Sequence, residues 1–342
     1  MSDHQPGQAT LLEVATEAGV SLATASRAFN GSTRKVREDL RLRVLAAATK
    51  LDYTANTSAQ AMARGRTNVV GLVVHDIADP YFSSIAAGVM QAAMAHQLLV
   101  TVGSTMGHPE RELGYLASLR GQRGRAAILS GSRVDDPELI KALTNEINAF
   151  ERSGGMVVVI GQHRLPVDTI EIQNRSGAKA LGTELIALGY RRFAILAGPR
   201  ALLTARDRLN GFREAVSKAG LPEPLIVNDE FTRDGGYDAM TSVLDQRHRI
   251  EAVFAVNDVM AVGAMAACRD VGLKLPGDMA LAGFDDIATL RDVDPGLTTV
   301  RLPLGDVGAS AIELVVTANG PEPRRRRIKG EVILRASTPR RS

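Results

Sequence analysis

Between Ser21 and Asn30 the chain gathers hydroxyls, small apolar groups, a guanidinium and an amide: Ser21, Leu22, Ala23, Thr24, Ser26, Arg27 and Asn30. Those types suit a DNA duplex. Hydroxyls reach phosphate oxygens, a guanidinium forms a forked bond to O6 and N7 of guanine, and methyl groups pack on thymine. To work together they must sit on one exposed face of a helix that a second helix holds against the groove. The flanking residues supply that support. Thr10 followed three residues later by Glu13 predicts a capping box, and Leu11, Val14, Ala15 and Ala18 recur at helical spacing. Gly19 ends this first helix and Ser21 caps a second beginning at Leu22. Ala15, Ala18, Ala25 and Ala28 let the two helices approach closely. An ordinary helical hairpin is the alternative for this stretch alone.

A second group of polar residues falls where strands should end. From residue 69 onward, short apolar runs alternate with longer helical stretches. Strands are predicted near 69–74, 98–102, 126–130, 156–160 and 169–172, then near 193–197, 225–227, 252–256, 279–283 and 298–300. Helices are expected over 81–96, 176–188, 205–219, 234–246, 257–271 and 304–318, among others. Such alternation implies parallel sheets with helices on both faces, and two sets imply two lobes. Ligands bind beyond the carboxyl ends of parallel strands. Just past those ends stand Asp76, Asp79 to Phe82, Ser104, Ser130 to Ser132 and Gly161, and in the second set Thr204 to Arg208, Phe231, Asn257-Asp258 and Asp285-Asp286. Carboxylates, an amide and a guanidinium suit vicinal hydroxyls, while a phenyl face packs on the C–H side of a ring. Each residue also has a plainer reading: Asn257 or Asp285 caps a loop or helix, Arg208 makes an ion pair, and Phe82 belongs to the core.

The register of these residues resembles the LacI family of bacterial transcription regulators over nearly the whole chain. The family's Val-Ala-x-x-Ala-Gly-Val-Ser-x-x-Thr-x-Ser-Arg-x-x-Asn pattern matches Val14 to Asn30. Leu51-Asp52-Tyr53, Asn56, and Gly65-Arg66-Thr67 leading into Val69 to Val74 continue it. The resemblance implies a small all-α helix-turn-helix headpiece followed by an α/β two-lobed, type I periplasmic-binding-protein-like domain. The headpiece would span 1–55, a hinge helix and linker 56–67, and the effector-binding domain 68–342. Its N-lobe would take about 68–172 and 301–326, its C-lobe about 173–300 and 327–342.

That likeness also assigns roles. Thr10, Ser21, Thr24, Ser26, Asn30, Tyr53, Asn56 and Ala59 would join Leu22, Ala23 and Arg27 at double-stranded operator DNA. Met62 would stand where relatives wedge a leucine into a base step, a departure that methionine can fill. Asp76, Phe82, Ser130, Arg208, Phe231, Asn257 and Asp285 would bind a small effector, with Arg208 as anchor. Gly161 replaces an aspartate of some sugar-responsive relatives, Leu302 replaces a glutamine, and the chain has no tryptophan. The expected effector is a carbohydrate or its phosphate, with a nucleoside or purine as the alternative. The expected assembly is a homodimer, or a tetramer built from it. Without a regulatory role, the same architecture would be a solute-binding protein.

Composition fits this reading. Residues 1–67 carry nine Lys or Arg against six Asp or Glu, whereas the other 275 residues hold 32 of each, so the whole excess of +3 lies in the first segment. The run Arg324 to Arg327 is expected at a solvated edge or loop. A lone cysteine, Cys268, forms no internal disulfide and is read as a packing residue. No secretion signal or membrane-length apolar run is evident, so a cytoplasmic, nucleoid-associated protein is expected. His4, His75, His96, His108, His163 and His248 are scattered without metal spacing, and no Walker loop, dinucleotide fingerprint or nucleophile elbow occurs. Neither an enzyme, a cofactor nor a metal is expected.

Overall fold

The computed structural model describes residues 9–30, 36–54, 66–246, 249–317, 320 and 322–341. The chain divides into two units, Met1–Thr67 and Asn68–Ser342. Among the described residues, no helix is long and apolar enough to cross a membrane.

In the first unit, α1 spans Leu11–Ala18, α2 Leu22–Asn30 and α3 Glu38–Lys50. Thr10 and Glu13 form the expected capping box: Glu13 N–H donates to Thr10 Oγ1 at 3.3 Å and Thr10 N–H to Glu13 Oε2 at 2.6 Å. Gly19 sits at φ 62° in the left-handed region, which lets the chain turn sharply into α2. The core is made largely of small side chains, Ala15, Ala18, Ala25, Ala47 and Ala48 with Val14 and Val44. Phe29 and Tyr53 close its rim in an edge-to-face pair 5.4 Å apart. Alanines allow helix axes to approach, so a core this small can form without burying the outer face of α2.

The second unit has two parallel sheets. Its first contains β1 (Val69–Val74), β2 (Leu99–Ser104), β3 (Ala126–Ser130), β4 (Val157–Ile160), β5 (Asp168–Ile172) and β11 (Arg325–Ile328), in the order β11-β5-β4-β3-β1-β2. The second contains β6 (Phe193–Ala197), β7 (Leu225–Asn228), β8 (Ala252–Ala255) and β9 (Ala280–Ala282), in the order β7-β6-β8-β9. A short antiparallel pair, β10 (Thr299–Arg301) with β12 (Glu331–Ile333), continues beyond β9 through bridges Ala282–Thr298 and Asp285–Arg301. Helices α4 (Pro80–Ala95), α5 (Arg111–Gly121) and α6 (Pro137–Arg152) connect strands of the first sheet. Helices α7 (Asn174–Ala187), α8 (Leu203–Lys218), α9 (Arg233–Asp245) and α10 (Asp258–Asp270) serve the second, and α11 (Leu304–Val316) returns to pack on α4.

The chain crosses between the lobes three times: from β5 into α7, from β10 into α11, and from β11 into β12. Of the run Arg324 to Arg327, Arg325 to Arg327 lie in the edge strand β11, which continues through Ile328, and Arg324 directly precedes it. Glu171 receives Arg325 at 2.6 Å, and Asp168 receives Arg324 at 2.5 Å. Charges along an edge strand deter pairing with another sheet.

Helix contacts rely on bare backbone. A Cβ placed at Gly263 of α10 would fall on the carbonyl oxygen of Arg233, and one at Gly236 of α9 on that of Met260. Gly263→Ala is therefore expected to lower the unfolding free energy of the second unit by about 1–3 kcal/mol through overpacking. Urea denaturation checks it; an unchanged midpoint would show that the helices can separate at no cost.

Candidate functional site

The residues expected to read DNA lie on α2. Leu22, Ala23 and Arg27 are exposed, Thr24 and Ser26 half-buried, and Ala25 alone points fully into the core. Ser21 Oγ accepts the Thr24 N–H at 3.1 Å and lies 2.9 Å from Thr24 Oγ1, which caps the helix and fixes both hydroxyls. Arg43 of α3 donates to Ala18 O at 2.6 Å, and Lys50 pairs with Glu17 at 2.6 Å, so α3 braces the end of α1 just before the turn. Thr10 spends its hydroxyl on the cap of α1. Tyr53 packs against Phe29. The backbone of Asn30 closes α2. Asn56, Ala59 and Met62, with the expected hinge helix, lie outside the described residues.

In the second unit a narrow cleft of about 50 Å³ lies between the lobes. One lobe supplies His75, Asp79, Tyr81, Phe82, Ser132, Ile160 and Gly161; the other supplies Leu202, Thr204, Arg208, Phe231, Asn257 and Asp285, with Ile172 and Asn174 at a crossing. Each carboxylate and amide follows from strand-end geometry. Asp79 caps α4, accepting the Tyr81 N–H at 2.9 Å. Asn257 caps α10, accepting the Met260 N–H at 2.9 Å, and its amide donates to Phe231 O at 3.4 Å. His75 stacks on Phe82 with ring centroids 6.0 Å apart.

Arg208 is the hub. It is only 2% exposed, yet it lines the cleft. Its Nη2 donates to Asp285 Oδ1 at 2.7 Å and its Nη1 to Asp285 Oδ2 at 3.2 Å. Nη1 also donates to Val256 O at 2.8 Å and Nε to Asn174 Oδ1 at 2.9 Å. The guanidinium plane lies 3.9 Å over the ring of Phe284. Protein atoms thus take four of its five N–H groups. Asp285 and Asp286 adopt φ of 123° and 57°, conformations that residues with a Cβ avoid. Asp286 meets Arg301 and Arg335, each at 2.7 Å.

Burial governs the titration of the lining. It opposes the charged form of the Asp285 carboxyl, which the two-pronged bond from Arg208 favours, and it raises Asp79 as well. Burial lowers His75, which keeps that imidazole neutral at pH 7. Behind the lining, Asp258 is lifted to about 6 while accepting from Thr299 Oγ1 at 2.7 Å and Ile287 N–H at 3.0 Å. The cleft therefore offers hydrogen-bond acceptors and apolar faces. The positive charge at its wall is already matched by Asp285.

Of the residues expected at an effector, the cleft gathers Phe82, Arg208, Phe231, Asn257 and Asp285. Two are not on its wall. Asp76 is exposed and turns its carboxylate onto the Ala78 N–H at 2.9 Å. Ser130 is 1% exposed and sealed inside the first sheet, leaving Gly131 and Ser132 to face the cleft. Tyr81, within the Asp79 to Phe82 stretch, and His75, a strand-end residue that could touch ligand or pack beside it, also line the cleft. Asn174 was not singled out, although it follows β5 directly and the strand-end rule would have reached it. Gly161 cannot carry a longer side chain, because a Cβ there would meet the carbonyl oxygen of Gly131.

A helix-turn-helix unit ahead of a two-lobed ligand-binding unit is the build of a DNA-binding transcriptional regulator rather than of an enzyme. Comparison with known proteins agrees. Residues 10–56 match bacterial regulatory proteins of the lacI family, and residues 183–338 match the periplasmic binding protein-like domain. The transcriptional regulator GalR of Escherichia coli (strain K12) is 34% identical over 313 residues, covering 90% of this chain and 88% of GalR. A solved complex of the transcriptional regulator CelR with cellobiose is 31% identical, with a TM-score of 0.69 over 96% of this chain and 100% of that one. The lac repressor dimer bound to operator and the anti-inducer ONPF shares the fold at 23% identity, with a TM-score of 0.83 over 97% and 99% of the two chains. The chain belongs to the LacI family.

Removing one partner of a buried ion pair strands the other charge in a medium that cannot solvate it. Asp285→Ala is expected to destabilise the second unit by about 3–5 kcal/mol, read as a lower urea midpoint by far-ultraviolet circular dichroism. A loss below about 1 kcal/mol would mean that the pair behaves like a surface contact.

Proposed function

We propose that the protein is a repressor whose grip on an operator is set by a neutral, hydroxyl-rich sugar held between the lobes. The observation that carries the choice of ligand is the charge of the cleft wall. Asp79 and Asp285 face Arg208, whose charge Asp285 already matches, and His75 is held neutral by burial. A phosphate would meet no uncommitted cation among these lining residues. Hydroxyls would find carboxylate and amide acceptors, the remaining Arg208 N–H, and the Tyr81 hydroxyl, while Phe82 and Phe231 offer apolar faces. Cellobiose in the CelR complex is a ligand of this kind.

At the other end, Arg27 on the open face of α2 would read a guanine, Ser21, Thr24 and Tyr53 would position the unit on phosphates, and Leu22 and Ala23 would lie against base edges. Two copies are needed to cover a near-palindromic operator. Exposed apolar side chains cluster in one stretch of the first lobe: Ile77, Met90, Met94, Leu99, Val102 and Met106. The open edge of β2 and the adjoining α4 are the surface through which a homodimer would form, as a two-fold contact uses one patch twice. A sugar alters operator affinity by the difference between its affinities for the two lobe arrangements.

Two measurements test the reading. Arg27→Ala should weaken binding to a promoter fragment selected by the native protein by about 1–3 kcal/mol and leave sugar binding unchanged; equal affinity by fluorescence anisotropy would remove Arg27 from the reading face. In thermal unfolding of the native protein, a neutral mono- or disaccharide should raise the melting temperature, by about 2.7 kcal/mol of stabilisation at a hundred times its dissociation constant. The corresponding sugar phosphates should not. Stabilisation confined to phosphates or to nucleosides would overturn the assignment.

A further inference from the structure

The three chain crossings are not the only junction between the lobes. A second one is assembled from the loop after β3 and the segment entering α8. Val134 and Leu202 form an antiparallel bridge. Leu203 N–H donates to Arg133 O at 3.0 Å and Asp135 N–H to Ala201 O at 3.4 Å. Thr204 N–H donates to Ser132 Oγ at 3.1 Å, and Arg206 pairs with Asp135 at 2.8 Å.

One side chain ties the set together. Gln162 follows β4 and Gly161, and its amide reaches both ways. Its Oε1 accepts the Arg133 N–H at 3.0 Å within its own lobe, while its Nε2 donates to Thr204 Oγ1 at 2.9 Å across the gap. It also stands beside Asp207 on α8, whose carboxyl burial raises and the Gln162 amide pulls back down. The near side of this contact cannot yield easily. Arg133 is buried and clamped by Glu112 through two bonds of 2.6 Å. The far side lies on the first turns of α8, the same helix that carries Arg208 into the cleft. Ser132, Leu202 and Thr204 belong at once to this contact and to the cleft wall.

We propose that this junction is a latch with Gln162 as its keystone, holding the lobes together over the cleft through bonds between protein atoms. Every partner in it is a protein group, so it favours closure whatever occupies the cleft. A ligand then adds to an equilibrium that the latch has already biased, and weakening the latch shifts the set point of the whole regulator. Gln162 does not line the cleft. It acts as a positioning residue, and only the link from closure to DNA rests on the function proposed above.

The test uses the full-length protein with no sugar added. Cysteines introduced at the exposed positions Lys141 and Lys218, one in each lobe, carry spin labels; Cys268 is buried and stays unlabelled. Pulsed dipolar spectroscopy should give one short distance with native Gln162. In Gln162→Met, which keeps the length but removes both bonds, a longer distance should appear and the closed-to-open ratio should fall about tenfold, the size of one or two lost hydrogen bonds. Gln162→Glu should open the lobes further, because it sets a carboxylate against Asp207. Should Gln162→Met fail to fold, Asp135→Ala with Arg206→Ala should produce a smaller shift in the same direction. An unchanged distance distribution in every folded variant, or a broad one with native Gln162, would overturn the latch. Altered distances with unchanged operator affinity would keep the latch and instead count against the proposed coupling to DNA.

Discussion

The cleft is organised around one buried ion pair. Arg208 and Asp285 meet where four parts of the chain converge: α8, the start of α7 through Asn174, the end of β8 through Val256, and the loop after β9. Removing two charges from water costs several kcal/mol for each ion, and only close to full hydrogen bonding offsets that. The arrangement meets this condition, with both carboxylate oxygens occupied, four N–H groups taken and an aromatic face beneath the guanidinium. The main chain of Asp285 also exchanges bonds with the crossing strand, Asp285 N–H to Val300 O at 2.9 Å and Leu302 N–H to Asp285 O at 3.2 Å. The strained dipeptide Asp285-Asp286 therefore connects the cleft floor directly to a segment that passes between the lobes. Strain of this kind persists where surrounding contacts over-determine it, and it concentrates at functional sites.

The first unit solves a different problem. A reading helix must be held firmly while its outer face stays free. Alanine-rich contacts achieve this by bringing α1, α2 and α3 close enough that Ala25 alone anchors the middle of α2. Arg43 and Lys50 then fasten α3 to α1 by polar bonds at the margins. Little apolar area is spent, and Leu22, Ala23 and Arg27 remain in solvent.

The chemistry of the second unit follows from which charges are already matched. A guanidinium in a ligand cleft suggests an anion site when viewed alone. Here its forked geometry is turned onto Asp285, and the groups left over are acceptors, one N–H, a phenol and aromatic faces. That set is the ground on which a neutral polyol is proposed. The same helix that carries Arg208 also enters the contact around Gln162.

Much of this was legible beforehand. The capping box at Thr10, the turn at Gly19 and the strand positions from Val69 to Arg301 follow from local rules: periodicity reports which face is buried, and helix caps depend on neighbours three residues away. The strand-end rule also found Arg208, Asn257, Asp285, Phe82 and Phe231, because parallel sheets present their carboxyl ends to a common cleft. Local rules could not choose partners across long stretches of chain. That Arg208 is matched by Asp285, that Ser130 is sealed while Ser132 faces the cleft, that Arg325 to Arg327 lie in an edge strand beside Glu171 with Arg324 on Asp168 just before it, and that Gln162 spans the lobes were decided by tertiary structure. Hydrogen bonds and charge pairing depend on ångström-scale distances between residues far apart in sequence, and only the packed lobes set those distances.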